Sequence, residues 1–260
     1  MLRVRPIHFT SRLDEWERLL TALGLVKTVD EPTWREFDAA SGRLALHFVE
    51  QGADQDGTTY FGVEVGDLQE FARRTKEAGA ATGTEAGGTN AELIEADHGA
   101  SCRITAADGF SFLADAATRA ADGSWGGSPE ADPGIAVVGV WFAEDAVGAA
   151  QTLRNIGAQP RPVTGTGTAT GEPDTVESEA FTAKNGGILM VGAGAGTGSA
   201  GLGFEYTGDL GALCERLNES GHEAAVIEEA AVPTLHVANP DANGVSARPP
   251  LWISAAPAEG

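Results

Sequence analysis

The chain has 260 residues, in which 38 acidic side chains outnumber 17 basic ones, and its formal net charge is −21. Because this charge repels phosphate backbones and anionic lipid headgroups, we expect neither nucleic acid nor a membrane surface as a partner. No window approaches the roughly 18 uninterrupted apolar residues of a membrane-spanning helix. The opening MLRVRPIHFTSRLDEW lacks the apolar region of a secretory signal, so we expect a cytoplasmic protein. Cys102 and Cys214 have no CxxC spacing and predict neither a disulfide framework nor a zinc site.

The first half of the chain contains the same order of predicted elements twice. LRVRPIHFT predicts a strand, SRLDEWERLLTALGL an amphipathic helix that ends at Gly24, and TWREFDAA and RLALHFVE two further strands. TYFGVEV then predicts a strand, DLQEFARRTKEAGA a helix that ends at Gly79, and AELIEAD, SCRITAAD and FSFLADA three more strands. The half therefore consists of two strand–helix–strands units.

The second half repeats this scheme after a stretch rich in Gly, Pro and acidic residues. IAVVGVWFA, EDAVGAAQTLRNIGA, SEAFTAK and GILMVGA predict a third unit, and LGFEYTG, DLGALCERLNESGHE, EAAVIEE, PTLHVAN and GVSARPP predict a fourth. The phrase FGVEVGDLQEF at 61–71 returns as LGFEYTGDLGAL at 202–213, which supports an internal repeat of about 60 residues. The glycine-rich run 191–201 precedes a strand-like segment rather than a helix, so it predicts a connector and not a dinucleotide-binding turn.

Four such units resemble the vicinal oxygen chelate superfamily, which includes glyoxalases, bleomycin-resistance proteins and extradiol dioxygenases. The resemblance is carried by PIHFTSRLDEWERLLTALGL, by FGVEVGDLQEF, and by the hairpins AADGFSF and NPDANGVS, which are similar to the family's DPDGN turn. It implies an α+β fold of four βαβββ units in two glyoxalase-like domains, each with a curled mixed sheet that encloses a cup and with helices outside. The implied domains are 1–118, with units at about 2–52 and 58–116, and 135–256, with units at about 135–192 and 201–256; 119–134 is the implied linker.

Enzymatic members of this superfamily hold a divalent metal with His, Gln or Glu side chains from the first and last strands of the units. The matching first-strand positions here are Val4 or Arg5, Tyr60, Val138 and Leu202, and the matching last-strand positions are Leu46, Leu113, Met190 and about Ser246. None carries an imidazole or a carboxylate, so we expect no metal cofactor. One alternative stays open. If Ile7 and Phe9 pack under the helix, His8 faces the cup, where it could approach Glu64 and bind a ligand or a divalent metal ion.

The resemblance, with the metal ligands missing, predicts a metal-free protein that binds a small, partly apolar organic molecule in one or both cups, as in the bleomycin-resistance branch. The candidate ligand-binding residues are His8, Tyr60 and Glu64 in the first half and Trp141 and Glu205 in the second. A metal-dependent lyase, isomerase or dioxygenase of the same superfamily is one alternative. A structural or regulatory module whose own side chains fill the cups is another. Because the units pair within one chain, we expect a monomer or a weak homodimer.

Overall fold

The computed structural model describes residues 1–82, 88–96, 99–118, 125, 127–161, 179–194, 198–227, 233–242 and 248–257. The first unit comprises β1 (Leu2–Val4), β2 (Ile7–Thr10), α1 (Leu13–Ala22), β3 (Val26–Asp30), β4 (Trp34–Asp38) and β5 (Arg43–Phe48). The second comprises β6 (Thr58–Tyr60), β7 (Gly62–Val65), α2 (Leu68–Ala81), β8 (Asn90–Ala96), β9 (Gly99–Thr105) and β10 (Ser111–Ala116).

The second half of the chain is built in the same way. Its third unit comprises β11 (Ile135–Ala143), α3 (Ala146–Asn155), β12 (Gln159–Pro160), β13 (Glu179–Thr182) and β14 (Ile188–Ala193). Its fourth unit comprises β15 (Ser199–Tyr206), α4 (Leu210–Glu219), β16 (Ala224–Ile227), β17 (Thr234–Val237) and β18 (Leu251–Ala255). No helix in the described ranges is long and apolar enough to cross a membrane.

The units of each half are joined through their first strands. In the second half, β12-β13-β14-β11-β15-β18-β17-β16 form one eight-stranded mixed sheet, in which β11 and β15 pair antiparallel. In the first half the same order is divided into two sheets, β3-β4-β5-β2-β6 and β1-β7-β10-β9-β8. The division falls beside Pro6, which has no amide hydrogen to donate, and beside Phe61. The predicted α+β fold with curled mixed sheets is confirmed.

Three helices begin directly after an aspartate, and two of these aspartates belong to the repeated Gly-Asp-Leu phrase. The side chains of Asp67, Asp145 and Asp209 each accept a hydrogen bond of 2.9 Å from the backbone amide three residues later. These bonds satisfy amides that have no partner within the helix, which is why Asp is favoured at this position. Gly79 does not end α2 as predicted, since the helix continues to Ala81. Instead, a Cβ at Gly79 would lie 2.2 Å from the carbonyl oxygen of Thr89, so the glycine permits a close approach of β8.

The helix-facing sides of the two halves share their hydrophobic core. One cluster joins Val63 and Phe71 of the second unit with Leu153 and Phe181 of the third, and another joins the first unit with the fourth. Helix α1 packs against α4, and α2 packs against α3. Backbone hydrogen bonds add to this contact, since Val4 N donates to the carbonyl oxygen of Gly186 at 3.0 Å. The two halves therefore pack through the helix-facing sides of their sheets.

Two predicted boundaries are wrong, and one predicted region is only partly described. The last strand is β18 rather than GVSARPP, since Pro249 and Pro250 offer no amide hydrogens to a sheet. The glycine-rich run 191–201 contributes to both β14 and β15 instead of forming only a connector. Residues 119–124 and 126 of the predicted linker, residues 195–197, and the position near Ser246 lie outside the described residues.

Glycines in β15 provide the surface on which two large rings lie. A Cβ at Gly203 would lie 2.3 Å from the Trp252 ring, and a Cβ at Gly201 would lie 2.9 Å from the Phe142 ring. Both rings belong to the cup side of the second-half sheet, where Trp252 packs with Val138 and Val140. The alternating glycines therefore make room for the rings that line this side.

We expect Gly203→Ala to lower the free energy of unfolding by about 1–3 kcal/mol, because the added methyl group overlaps the Trp252 ring. Urea denaturation measures this loss. The Gly203→Ala/Trp252→Leu double variant serves as the control, and we expect it to lose less stability than the sum of the two single variants. Strict additivity of the single variants would contradict the contact.

Candidate functional site

The cup side of the first half carries buried charges where apolar side chains were expected. Seven charged side chains, none more than 7% exposed, lie on strands of both units: Arg3, Arg5, Glu36, Asp38, Arg43, Glu64 and Asp115. We call these residues the ion-pair cluster. Glu64 lies between Val63 and Val65, which face α2, so the strand alternation turns its carboxylate toward the cup.

Arg5 and Arg43 connect the carboxylates of the ion-pair cluster. Nη1 of Arg5 donates to Glu36 Oε1 at 3.1 Å, and its Nη2 donates to Asp115 Oδ2. Nε of Arg43 donates to Asp38 Oδ1 at 2.5 Å, and its Nη1 donates to Glu36 Oε2 at 2.8 Å. The bond from Arg5 to Asp115 crosses from the first unit to the second, and the other three lie within the first unit.

Glu64 is the point at which all three arginines of the ion-pair cluster meet. Nε of Arg3 donates to Glu64 Oε2 at 2.7 Å, while Arg5 Nε and Arg43 Nη1 lie 3.5 and 3.4 Å from Oε1. In the sheets, Glu64 pairs directly with Arg3 on β1 and with Asp115 on β10. The carboxylate therefore lies at the centre of the first strands and is held from both units.

Burial makes this cluster depend on complete pairing. Burial by itself would lower the pKa of Arg43, but the hydrogen bond that it donates to Asp38 and the charges of Glu64, Asp38 and Glu36 raise it above its ordinary value, so Arg43 stays a cation. Removing one partner of a buried pair leaves an uncompensated charge in a low-dielectric interior, which is much more costly than losing a surface pair.

The side chains on the cup sides do not fit a divalent metal ion. Three guanidinium groups already neutralise most of the charge of the four carboxylates, and a fourth cation among them would be repelled at short range. In the second half, Glu205 is held by Arg161 through two hydrogen bonds of 2.8 and 3.0 Å. Throughout the described residues, no group of three or more His, Cys, Asp and Glu side chains is arranged to hold a metal ion.

His8 faces the helix rather than the cup, contrary to the sequence prediction. It pairs with Leu46 of β5, which belongs to the helix-facing core, and its ring lies 4.3 Å from that of Trp16 in α1. Phe9 takes the other side of the strand, where it packs against Tyr60 at 4.5 Å. The polar ring can be buried because its neighbours supply hydrogen bonds. His8 and Glu64 consequently have separate sets of partners.

Asp241, which follows β17 in the fourth unit, anchors the imidazole of His8. Its Oδ2 accepts from His8 Nε2 at 2.7 Å and from Trp16 Nε1 at 3.0 Å, and its Oδ1 accepts from Thr10 Oγ1 at 2.5 Å. Burial alone would raise the pKa of Asp241, but the hydrogen bonds and charge of His8, with the bonds from Thr10 and Trp16, lower it below the ordinary value. On the other side of the imidazole, Nδ1 lies 2.9 Å from the hydroxyl oxygen of Thr59.

A cavity of about 890 Å³ lies beside this network, and its walls come from both halves of the chain. From the first half, its lining includes Ile7, His8, residues 57–62, residues 110–113 and Asp115. From the second half, it includes Phe142, residues 198–202, Asn239 and residues 248–252. The rings of Tyr60 and Phe142 are 48% and 36% exposed, and both lie at this cavity.

The five predicted ligand-binding residues occupy different environments. His8 and Tyr60 line the cavity, whereas Glu64 belongs to the ion-pair cluster. Trp141 is fully buried on the helix-facing side and stacks on Phe110 at 4.6 Å, while Glu205 pairs with Arg161 on the cup side.

Sequence reasoning missed two features of this region. The first is the ion-pair cluster, whose signal was visible in RVR at 3–5 and EFD at 36–38, where charged residues alternate with single apolar ones. The second is the contribution of residues 248–252 to the cavity wall. Residues 248–250 were predicted to end the strand GVSARPP, and no element was predicted for 251 and 252.

Comparison with solved structures identifies proteins of the same fold. A catechol 2,3-dioxygenase superposes with a TM-score of 0.57 at 17% identity, covering 100% of this chain and 91% of the other. The 2,3-dioxygenase LapB from Pseudomonas sp. KL28 gives 0.60 at 11%, covering 98% and 91%. The Mn(II)-bound glyoxalase from Novosphingobium aromaticivorans gives 0.56 at 10%, covering 97% and 80%. No protein-family model matches the chain, and no curated sequence matches it significantly. The chain therefore has the fold of these dioxygenases and of this glyoxalase, as the sequence resemblance implied.

We expect Glu64→Gln to lower the free energy of unfolding by about 3–5 kcal/mol, because the neutral amide cannot replace the buried negative charge on which Arg3, Arg5 and Arg43 converge. Glu70→Gln is the matched control, since Glu70 pairs with Arg73 and Arg74 on the exposed face of α2, where we expect almost no change in stability. Urea denaturation compares the two variants, and equal losses would show that burial does not govern the cluster.

We expect Asp241→Asn to lower the free energy of unfolding by about 1–3 kcal/mol near neutral pH. Because the folded-state pKa of Asp241 is depressed, its carboxylate stabilises the fold above the unfolded pKa of about 3.9, and this contribution is lost as pH falls through the folded pKa. The difference between wild type and variant, measured by urea denaturation at several pH values, should therefore shrink below about pH 4. A difference that grows on acidification would contradict the network.

Proposed function

We propose that this chain binds a small organic molecule with an apolar, ring-containing body in the cavity between its two halves, without a metal ion. The observation that carries the proposal is the cavity itself, whose volume of about 890 Å³ lies in the range of small-molecule sites. Its walls combine large rings with a few polar groups, which is the composition that such sites share.

Exposed aromatic rings support the choice of ligand. Large apolar side chains that stay accessible on a folded protein commonly mark a binding surface when they lie together. Tyr60 and Phe142 are accessible in this way, and Phe112 and Trp252 line the same cavity. A flat apolar ligand can stack against such rings in offset or edge-to-face arrangements.

The predicted site residues take two kinds of role in this proposal. Tyr60 contacts the ligand directly, while His8 and Thr59 supply a polar edge held in place by Asp241. Trp141 acts from behind the wall, because it supports Phe110 in its position at the cavity. Glu64 and Glu205 stabilise the cup sides of the two sheets through ion pairs with Arg3 and Arg161.

The metal-dependent alternative remains the second candidate, since the solved structures of this fold include a Mn(II)-bound glyoxalase. The side chains at the candidate ligand positions argue against this alternative. None of the described strand positions that would supply ligands carries an imidazole or a carboxylate, and the arginine among them, Arg5, is already paired with Glu36 and Asp115. Binding without turnover requires only the cavity.

The neutral fluorescent probe N-phenyl-1-naphthylamine tests the proposed cavity. We expect its emission to rise on binding to the native protein, and we expect Phe142→Ala and Tyr60→Ala each to weaken the binding by about tenfold through lost apolar contact. Val147→Ala is the matched control because Val147 is 78% exposed on α3, away from the cavity. Wild-type affinity in both ring variants, or no binding by the native protein, would contradict the proposal.

Metal analysis of the purified protein separates the two candidates. We expect the affinity for the probe to be the same before and after dialysis against EDTA, since no metal takes part in binding. Stoichiometric bound iron or manganese that disappears in His8→Ala would favour the metal-dependent enzyme instead.

A further inference from the structure

We propose that Arg248 makes this cavity selective for ligands that carry a carboxylate. This inference rests on the proposed small-molecule site and specifies the chemical class of its ligand. Arg248 lies in the wall of the cavity immediately before Pro249 and Pro250. Its guanidinium places a positive charge in a lining that otherwise consists mainly of rings and small residues.

The backbone at Gly57 makes room for the Arg248 guanidinium. A Cβ at Gly57 would lie 2.8 Å from Nε and 2.9 Å from both Cζ and Nη2 of Arg248, so any larger residue would displace the group. Nη2 also donates a hydrogen bond to the backbone carbonyl oxygen of Asp56. One side of the guanidinium is therefore held by the first half of the chain, although the arginine itself belongs to the second.

The acidic side chains of Asp56 and Asp115 are engaged by other partners. The Asp56 carboxylate accepts hydrogen bonds from Ser11 N at 2.8 Å, from Ser11 Oγ at 3.1 Å and from Gly52 N at 3.1 Å. Asp115, the carboxylate that shares the cavity lining, is bonded to Arg5 and to Ser101. Among the described residues, no carboxylate lies within ion-pair distance of Arg248.

A carboxylate is the ligand group that best matches this arrangement. The planar guanidinium can donate two parallel hydrogen bonds to the two oxygens of a carboxylate. One arginine balances a single negative charge, whereas a phosphate dianion would need further cations that the described lining does not supply. Because the chain carries a net charge of −21, its overall field repels anions, so the selectivity must arise locally at Arg248.

Two ligands of matched size test the proposal: 2-naphthoate, which is anionic at neutral pH, and 2-naphthamide, which is neutral. Isothermal titration calorimetry measures both affinities. We expect wild type to bind 2-naphthoate about tenfold or more tightly than 2-naphthamide, because a charge-assisted hydrogen bond is available only to the anion. We expect Arg248→Gln to abolish this preference while leaving the affinity for 2-naphthamide within about threefold of wild type.

Two further variants control the interpretation. Arg248→Lys keeps the positive charge and should retain part of the preference. Arg18→Gln removes an arginine whose side chain is 66% exposed and should leave both affinities unchanged. Equal binding of the two ligands by wild type, or an unchanged preference in Arg248→Gln, overturns the carboxylate site alone. Failure of both ligands to bind overturns the proposed cavity function and the carboxylate site with it.

Discussion

Buried arginines can remain charged in the first cup only because carboxylates from neighbouring strands surround them. Arg5 and Arg43 each reach acidic groups on more than one strand, and Glu64 receives three arginines. A shift of any strand by one residue would turn a charged group into the helix-facing core and leave its partners unpaired. The ion-pair cluster thus constrains the register of β1, β4, β5, β7 and β10 at the same time.

The same cluster accounts for where the proposed ligand binds. Charged side chains that are already paired with one another occupy the cup side around the first strands of the first half. The accessible rings lie instead at the cavity that both halves of the chain enclose. Close contact between the halves is possible because a glycine allows it: a Cβ on Gly187 would lie 2.4 Å from Val4 Cβ. The duplicated architecture therefore encloses a cavity whose walls neither half supplies alone.

Local sequence patterns predicted the fold, but they predicted few of the contacts at the candidate site. Apolar periodicity located the four helices, and the Gly-Asp-Leu phrase located two of their starts. The sequence left the orientation of His8 conditional on the packing of Ile7 and Phe9, and that condition is not met because the strand buries the polar ring under the helix, where Asp241, 233 residues away, binds it. The chemistry of the first cup was missed because alternation was applied to apolar residues alone. Arg3, Glu36 and Asp38 alternate just as regularly with buried apolar neighbours.

A crystal structure of the protein with bound 6-bromo-2-naphthoate tests the central claim most directly, since the anomalous signal of bromine locates the ligand without ambiguity. The account predicts a bromine peak in the cavity lined by Tyr60, Phe142 and Trp252, with the carboxylate directed toward Arg248 and the ion-pair cluster intact. A ligand found inside the first cup, with Arg5 and Arg43 displaced from their carboxylates, would contradict it.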